Sequence, residues 1–60
     1  MPLIDVRLYE HRVTEKSVPK IIEKLTDALH ESSGAAKEDI HVIVTGVSPK
    51  HWGMNGKPGA

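Results

Sequence analysis

The strongest strand signal in this 60-residue chain is residues 40–47, IHVIVTGV. Val42 and Val44 alternate with Ile43 and Val47, so both faces of the predicted strand are largely apolar. Such a pattern is typical of a strand that is covered on both sides. We therefore expect this strand to be the centre of the fold, with the remaining elements packed around it.

A second strand is predicted at residues 3–9, LIDVRLY. Ile4, Val6 and Leu8 point to one side, and the other side is mixed in character. The polar residues 10–12, EHR, follow as a loop.

The segment between the two strands changes from strand to helical period, which predicts a helix at residues 15–33. Its apolar stripe consists of Val18, Ile21, Ile22, Leu25, Ala28 and Leu29. Either Thr14 or Ser17 can cap the start. Pro19 falls in the first turn if Ser17 is the cap, but costs a hydrogen bond or a bend if Thr14 is. Gly34 is suited to end the helix.

The element order predicts a single α/β domain over residues 1–60. Two strands that are joined by a long helical crossover pair in parallel. Asn55-Gly56 is a strong turn signal, so a short hairpin is expected after the second strand. Residues 57–60 are expected to form a loose tail.

The small size of the chain predicts that it assembles with other chains. A domain of about 60 residues buries so little surface that its fold is only marginally stable. The chain has no cysteine, so a disulfide cannot stabilise it. One helix covers one face of a two-stranded sheet, and the other face carries Leu3, Tyr9, Ile43 and Val47. A neighbouring subunit is the simplest cover for this face.

Charge and hydropathy exclude several classes of protein. Eight basic residues balance eight acidic ones, whereas nucleic-acid-binding proteins usually carry a clustered basic excess. A ribbon-helix-helix DNA binder would also need a second helix where 40–47 predicts a strand. No apolar run has the roughly 20 residues of a membrane span, and the start lacks the features of a signal peptide. We expect a cytoplasmic protein.

Pro2 is the first residue with a possible chemical role. An initiator methionine before a small residue is normally removed, which would leave Pro2 with a free secondary amine. Such an amine can act as a general base when burial and a nearby cation lower its pKa. Many chains begin with Met-Pro, so this feature gains weight only because Pro2 leads directly into a strand.

Taken together, the chain resembles the 4-oxalocrotonate tautomerase family over residues 2 to about 57. The resemblance is carried by the start PLI, the segment LYEHR at 8–12, the helix, IHVIVT at 40–45 and HWGMNG at 51–56. It implies a tautomerase-superfamily fold, usually a homohexamer built as a trimer of dimers. It also implies a cofactor-independent isomerase that catalyses keto-enol tautomerisation with its amino-terminal proline, here Pro2, as the base.

The resemblance also implies roles for two further residues. Arg12 matches the family's arginine after the first strand, which binds a substrate carboxylate, a role suited to a bidentate guanidinium. Trp52 matches an aromatic residue of the terminal hairpin, which would wall the pocket and exclude water. From the residues alone, Arg12 is more simply explained as an exposed loop residue, and Trp52 can equally be an anchor between subunits.

His41 departs from the family pattern, because it stands where the family has a second substrate-binding arginine from a neighbouring subunit. A histidine offers fewer donors and is mostly neutral at pH 7. This difference argues against the dicarboxylate substrate of the family. A one-residue insertion at residues 13–19 is a second departure.

Two hypotheses for the function follow. One is a tautomerase of enol or dienol 2-oxo acids, with Pro2 as catalytic base and Arg12, His41 and Trp52 as substrate-binding residues. The other is a non-catalytic or altered-substrate module of the same fold. The four histidines share no ligand spacing, so neither a metal nor another cofactor is expected.

Overall fold

The computed structural model describes residues 1–59, and these form the small α/β fold that the sequence predicts. The regular elements are β1 (Leu3–Tyr9), α1 (Ser17–Ser33), β2 (His41–Val47), β3 (Gly53–Met54) and β4 (Lys57–Pro58). Three short 3₁₀ turns lie between them, at Glu10–Arg12, Lys37–Asp39 and Pro49–His51. The polar segment after β1 is thus a turn with defined geometry.

The central sheet consists of β1 and β2, which pair in parallel as expected. The register places Leu3 opposite His41 at one end and Tyr9 opposite Val47 at the other. We call these the amino end and the carboxyl end of the sheet. The core beneath the sheet is thin, because among residues 1–59 only Ile40 is buried, with 8% of its surface exposed.

The start of α1 combines the two capping arrangements that the sequence left open. Thr14 Oγ1 accepts a hydrogen bond from the Ser17 N–H at 2.9 Å, and Ser17 Oγ accepts one from the Thr14 N–H at 2.9 Å. Val18 N–H already donates to the Thr14 carbonyl at 3.1 Å. Pro19 has no N–H to continue this series, so the regular helix begins only at Ser17.

The end of α1 follows the prediction. Gly34 has φ of 80°, a left-handed conformation that glycine adopts without strain, and its N–H donates to the His30 carbonyl. Lys37 Nζ then lies 2.8 Å from Asp27 Oδ1. The hydrogen bond with Asp27, and then its negative charge, raise the pKa of Lys37. This pair links the helix to the segment that enters β2.

The predicted hairpin is present, but residues 57–59 are not the loose tail that the sequence suggested. Asn55 and Gly56 have φ of 53° and 79°, as a two-residue turn between β3 and β4 requires. Gly59 N–H donates to the Pro49 carbonyl at 3.0 Å, so backbone pairing holds this segment against the preceding turn. Ala60 lies outside the described residues.

One face of the sheet is uncovered within the single chain. Ile4, Val6 and Val44 lie half-buried on the face toward α1. The opposite face, which we call the outer face, exposes 58% of Leu3 and 51% of Ile43. The expectation that β2 is covered on both sides is therefore not met by one chain, because the chain has a single helix to supply cover.

No helix in residues 1–59 is both long enough and apolar enough to cross a membrane. The helix over Ser17–Ser33 is too short and too polar to span a bilayer, and no other helix in residues 1–59 qualifies.

Candidate active site

Pro2 and His41 lie side by side at the amino end of the sheet. The N–H of His41 donates to the carbonyl oxygen of Pro2 at 3.0 Å, which extends the ladder between the strands by one bond. Met1 has no such support, and 94% of its surface is exposed. The residue that would become the amino terminus after loss of Met1 is therefore fixed by the sheet.

The surroundings of His41 are apolar rather than cationic. Leu3 lies directly opposite on β1, and Ile43 follows two residues along β2 on the same face. Both side chains are exposed by half or more, as His41 itself is exposed. The pairing Asp5↔Ile43 places a carboxylate next along this face. No arginine or lysine of β1 or β2 lies at this end of the sheet.

Arg12 lies at the carboxyl end, where its backbone is held from two sides. Within the 3₁₀ turn, Val13 N–H donates to the Glu10 carbonyl at 3.1 Å. The hydroxyl of Ser17 donates to the Arg12 carbonyl at 2.6 Å. Gly46 of β2 lies so close that a Cβ there would come within 3.2 Å of Glu10 Cα. The start of α1 and the end of β2 together fix this turn.

Trp52 reaches the same end of the sheet from the other terminus of the chain. The turn at Pro49–His51 positions its backbone, with the Trp52 N–H donating to the Pro49 carbonyl at 3.2 Å. The indole packs against Tyr9 in a T-shaped arrangement, with ring centroids 5.0 Å apart. Aromatic pairs favour this geometry, so the two rings support each other's orientation.

Two cavities open beside Trp52. The larger has a volume of about 370 Å³ and is lined by Arg7, Leu8, Tyr9, Arg12, Trp52 and Met54. The smaller has a volume of about 260 Å³ and is lined by Arg7, Val47, His51, Trp52 and Gly53. The structure thus brings together two of the predicted site residues, Arg12 and Trp52, in one cavity. Pro2 and His41 line neither cavity.

Arg7 and Tyr9 are cavity residues that the sequence analysis did not single out. They lie two positions apart on β1, so both point to the outer face, and this face turns toward Trp52 at the carboxyl end. The alternation of residues in β1 predicts that the two side chains lie on the same face of the strand. It could not place them beside Trp52, because that contact joins residues more than 40 positions apart.

The two ends of the sheet are well separated within one chain. β1 has seven residues, and at about 3.3 Å per residue its ends are on the order of 20 Å apart. A small oxo acid cannot span this distance. Pro2 and Arg12 of the same chain therefore lie at opposite ends of β1, farther apart than the length of a small oxo acid.

The larger cavity has mostly apolar walls. Arg7 and Arg12 are the charged residues among those that line it, beside Tyr9 and Trp52. Among residues 1–59, no group of three or more histidine and carboxylate side chains is placed to hold a metal ion.

Two curated relatives are similar to the chain over nearly its whole length. A probable tautomerase of Staphylococcus aureus is 32% identical over 56 residues, which is 93% of this chain and 90% of the relative. A probable tautomerase of Ralstonia nicotianae is 41% identical over 58 residues, which is 97% of this chain and 81% of the relative.

Solved structures agree with this likeness. A 4-oxalocrotonate tautomerase isozyme from Methylibium petroleiphilum superposes with a TM-score of 0.86 at 34% identity, covering 97% of this chain and 92% of the other. TomN, a 4-oxalocrotonate tautomerase homologue of the tomaymycin biosynthetic pathway, gives 0.88 at 36% identity, with 97% and 88% covered. The family model described as tautomerase enzyme matches residues 2–60. The fold, the relatives and this match together show that the chain belongs to the tautomerase family.

Proposed function

We propose that this protein is a cofactor-independent tautomerase of enol or dienol 2-oxo acids, with Pro2 as its general base. After Met1 is removed, the Pro2 nitrogen takes the proton from the 2-hydroxyl group of the substrate. The electron pair of the broken O–H bond forms the carbonyl, the double bond shifts, and the same nitrogen returns the proton to carbon. No proton or electron is gained or lost overall.

The observation that carries the proposal is the anchoring of Pro2 on the sheet. A base must be held within hydrogen-bond reach of the proton that it removes. The hydrogen bond of 3.0 Å from the His41 N–H to the Pro2 carbonyl supports such a fixed position. A terminus without a partner in the sheet would not keep its nitrogen in one place. The high exposure of Met1 supports its removal by an aminopeptidase.

The carboxyl end supplies the groups that would bind the substrate. Arg12 offers paired N–H donors to a carboxylate. Trp52 and Tyr9 cover the cavity with apolar surface, and water exclusion strengthens the charged hydrogen bond. In this proposal His41 contributes a hydrogen-bond donor in place of the family's second arginine.

The separation of the two ends supports an active site shared between chains. We propose that Pro2 of one chain meets Arg12 and Trp52 of a neighbour in a homo-oligomer, with the family's hexamer as the expected form. The exposed Leu3 and Ile43 support such contacts, since apolar side chains on an open sheet face are stabilised by cover. The single-domain organisation over residues 1–60 and the cytoplasmic location stay predictions.

A non-catalytic module of the same fold is the second candidate. It is favoured by His41, because no arginine stands at the amino end of the sheet to draw electron density from a substrate. A retained Met1 would favour it too, since the Pro2 nitrogen would then be an amide and no base.

The test is ketonisation of 2-hydroxymuconate and of phenylenolpyruvate by protein whose intact mass shows that Met1 is absent. We expect turnover of at least one substrate, and a loss of about a hundredfold or more in Pro2→Ala, within the range for a general base. Phenylenolpyruvate has one carboxylate and 2-hydroxymuconate two, so the pair also measures charge preference. Failure to turn over both, or full activity of Pro2→Ala, would refute the proposal.

A further inference from the structure

Arg7 is the one residue besides Trp52 that lines both cavities at the carboxyl end. It lies on β1, five positions before Arg12 and on the outer face, so Arg7 lines the larger cavity from the sheet and Arg12 lines it from the 3₁₀ turn. We propose that Arg7 is a second anion-binding residue of this site, and that it shares the carboxylate and the adjacent 2-oxygen of an oxo acid with Arg12 of the same chain. This inference rests on the proposed function.

The guanidinium of Arg7 is available for a ligand. Its ion-pair partner is Asp5, with Nη2 and Oδ2 3.6 Å apart, and the two side chains are 68% and 50% exposed. Exposed pairs at such distances contribute little and break readily. Among residues 1–59, the Arg7 side chain makes no hydrogen bond besides this ion-pair contact. Its fork of donors is therefore not committed to the fold.

The residues that line the larger cavity carry a net positive charge although the whole chain is neutral. Eight basic and eight acidic residues cancel overall, yet two arginines and no acidic residue line this cavity. Such local concentration of one sign attracts ligands of the other. Asp5 and Glu10 are neighbours of Arg7 and Arg12 in the sequence but do not line the cavity.

Oxo acids fit two guanidinium groups in one pocket. A 2-oxo or 2-hydroxy-2-enoic acid carries a carboxylate next to another oxygen, so three acceptors lie in one plane at one end of the molecule. One planar guanidinium can bind the carboxylate in a bidentate manner, and the second can bind the 2-oxygen where negative charge develops on loss of the hydroxyl proton. Leu8, Trp52 and Met54 offer apolar contact for the hydrocarbon part.

The test measures binding of 2-oxohexanoate by titration calorimetry, which does not depend on turnover. We expect Arg7→Gln to raise the Kd about tenfold or more, as loss of a hydrogen-bonded charge does. Arg7→Lys keeps a point charge without the fork, and should give a Kd between the two. Asp5→Asn is the matched control: it removes the ion pair but keeps Arg7, so affinity should be unchanged or slightly stronger.

The same variants are compared in kcat/KM for phenylenolpyruvate and in assembly mass by size exclusion. Equal Kd for wild type and Arg7→Gln would overturn the inference. So would a loss in Arg7→Gln that Arg7→Lys does not relieve, an equal loss in Asp5→Asn, or a loss that appears only with a changed assembly mass. If wild type binds 2-oxohexanoate through Arg7 but turns over no enol acid, the proposed function fails while Arg7 remains an anion-binding residue.

Discussion

The two ends of the central sheet are built from the same strands but differ in charge and in what holds them. At the amino end, Pro2 and His41 are joined by a backbone hydrogen bond and flanked by exposed Leu3. At the carboxyl end, Arg12 and Trp52 are positioned by turns and by side chains from distant parts of the chain. One end offers a fixed nitrogen and apolar surface, the other offers cations and rings.

Under the proposed function, this difference would explain how so short a chain can supply the groups of an acid–base site. Each chain would carry two complementary halves, which β1 holds apart. Contact between chains would then serve both stability and chemistry. The three experiments below test this division, beginning with the one that breaks it most directly.

Mixed assemblies of Pro2→Ala and Arg12→Gln should recover activity that neither variant has alone. If each site takes Pro2 from one chain and Arg12 from another, random mixing of equal amounts leaves about a quarter of the sites with both native residues. The measurement is the ketonisation rate after the variants are unfolded together and refolded. The control is a mixture of Pro2→Ala with the variant that carries both Pro2→Ala and Arg12→Gln, because no site in it can contain a native Pro2.

A mixed sample no more active than the average of its two components would contradict the shared site. It would leave the anchoring of Pro2 and the arginine cavity in place, but as parts of separate functions.

His41→Arg should narrow the charge difference between the two ends. An arginine beside Pro2 adds a fixed cation for a second carboxylate, so kcat/KM for 2-hydroxymuconate relative to phenylenolpyruvate should rise about tenfold. Glu23→Gln changes the net charge by the same amount on the exposed side of α1 and should leave the ratio unchanged. An unaltered ratio in His41→Arg would mean that this side chain does not face the substrate.

Ser17→Ala should loosen the turn that carries Arg12 at the carboxyl end and leave the amino end of the sheet unchanged. Its hydroxyl holds the Arg12 carbonyl at 2.6 Å, so its loss should lower the free energy of unfolding by about 1 kcal/mol. It should also raise KM a few-fold, because the turn that carries Arg12 loosens. Ser32→Ala is the matched control, since Ser32 donates to the Ala28 carbonyl at 2.8 Å at the far end of the same helix. Urea unfolding and steady-state kinetics would separate the two, and an equal rise of KM in both would argue against a role in positioning Arg12.

Local patterns predicted most of the fold because each of its elements has a strong local cause. Alternation over 3–9 and 40–47 set the strands, and the left-handed glycine set the helix end at Gly34. The prediction of a loose tail was wrong because the contact that holds this segment has no local cause. Gly59 is held by a hydrogen bond to the Pro49 carbonyl, and neither residue carries a local signal for that pairing. Arg7 carries no local signal either, because its place beside Trp52 depends on the tertiary structure and not on its neighbours in β1.

The sequence by itself determined the β-α-β order, the hairpin, the departure at His41 and the residues that carry the family resemblance. Periodicity and turn chemistry act over a few residues, so they can be recognised directly in the sequence. Only the tertiary structure decided that Arg12 and Trp52 share a cavity with Arg7, and that Pro2 lies at the opposite end. Those relations depend on how strands of fixed rise and turns of fixed geometry add up in space, and distance along the chain does not encode them.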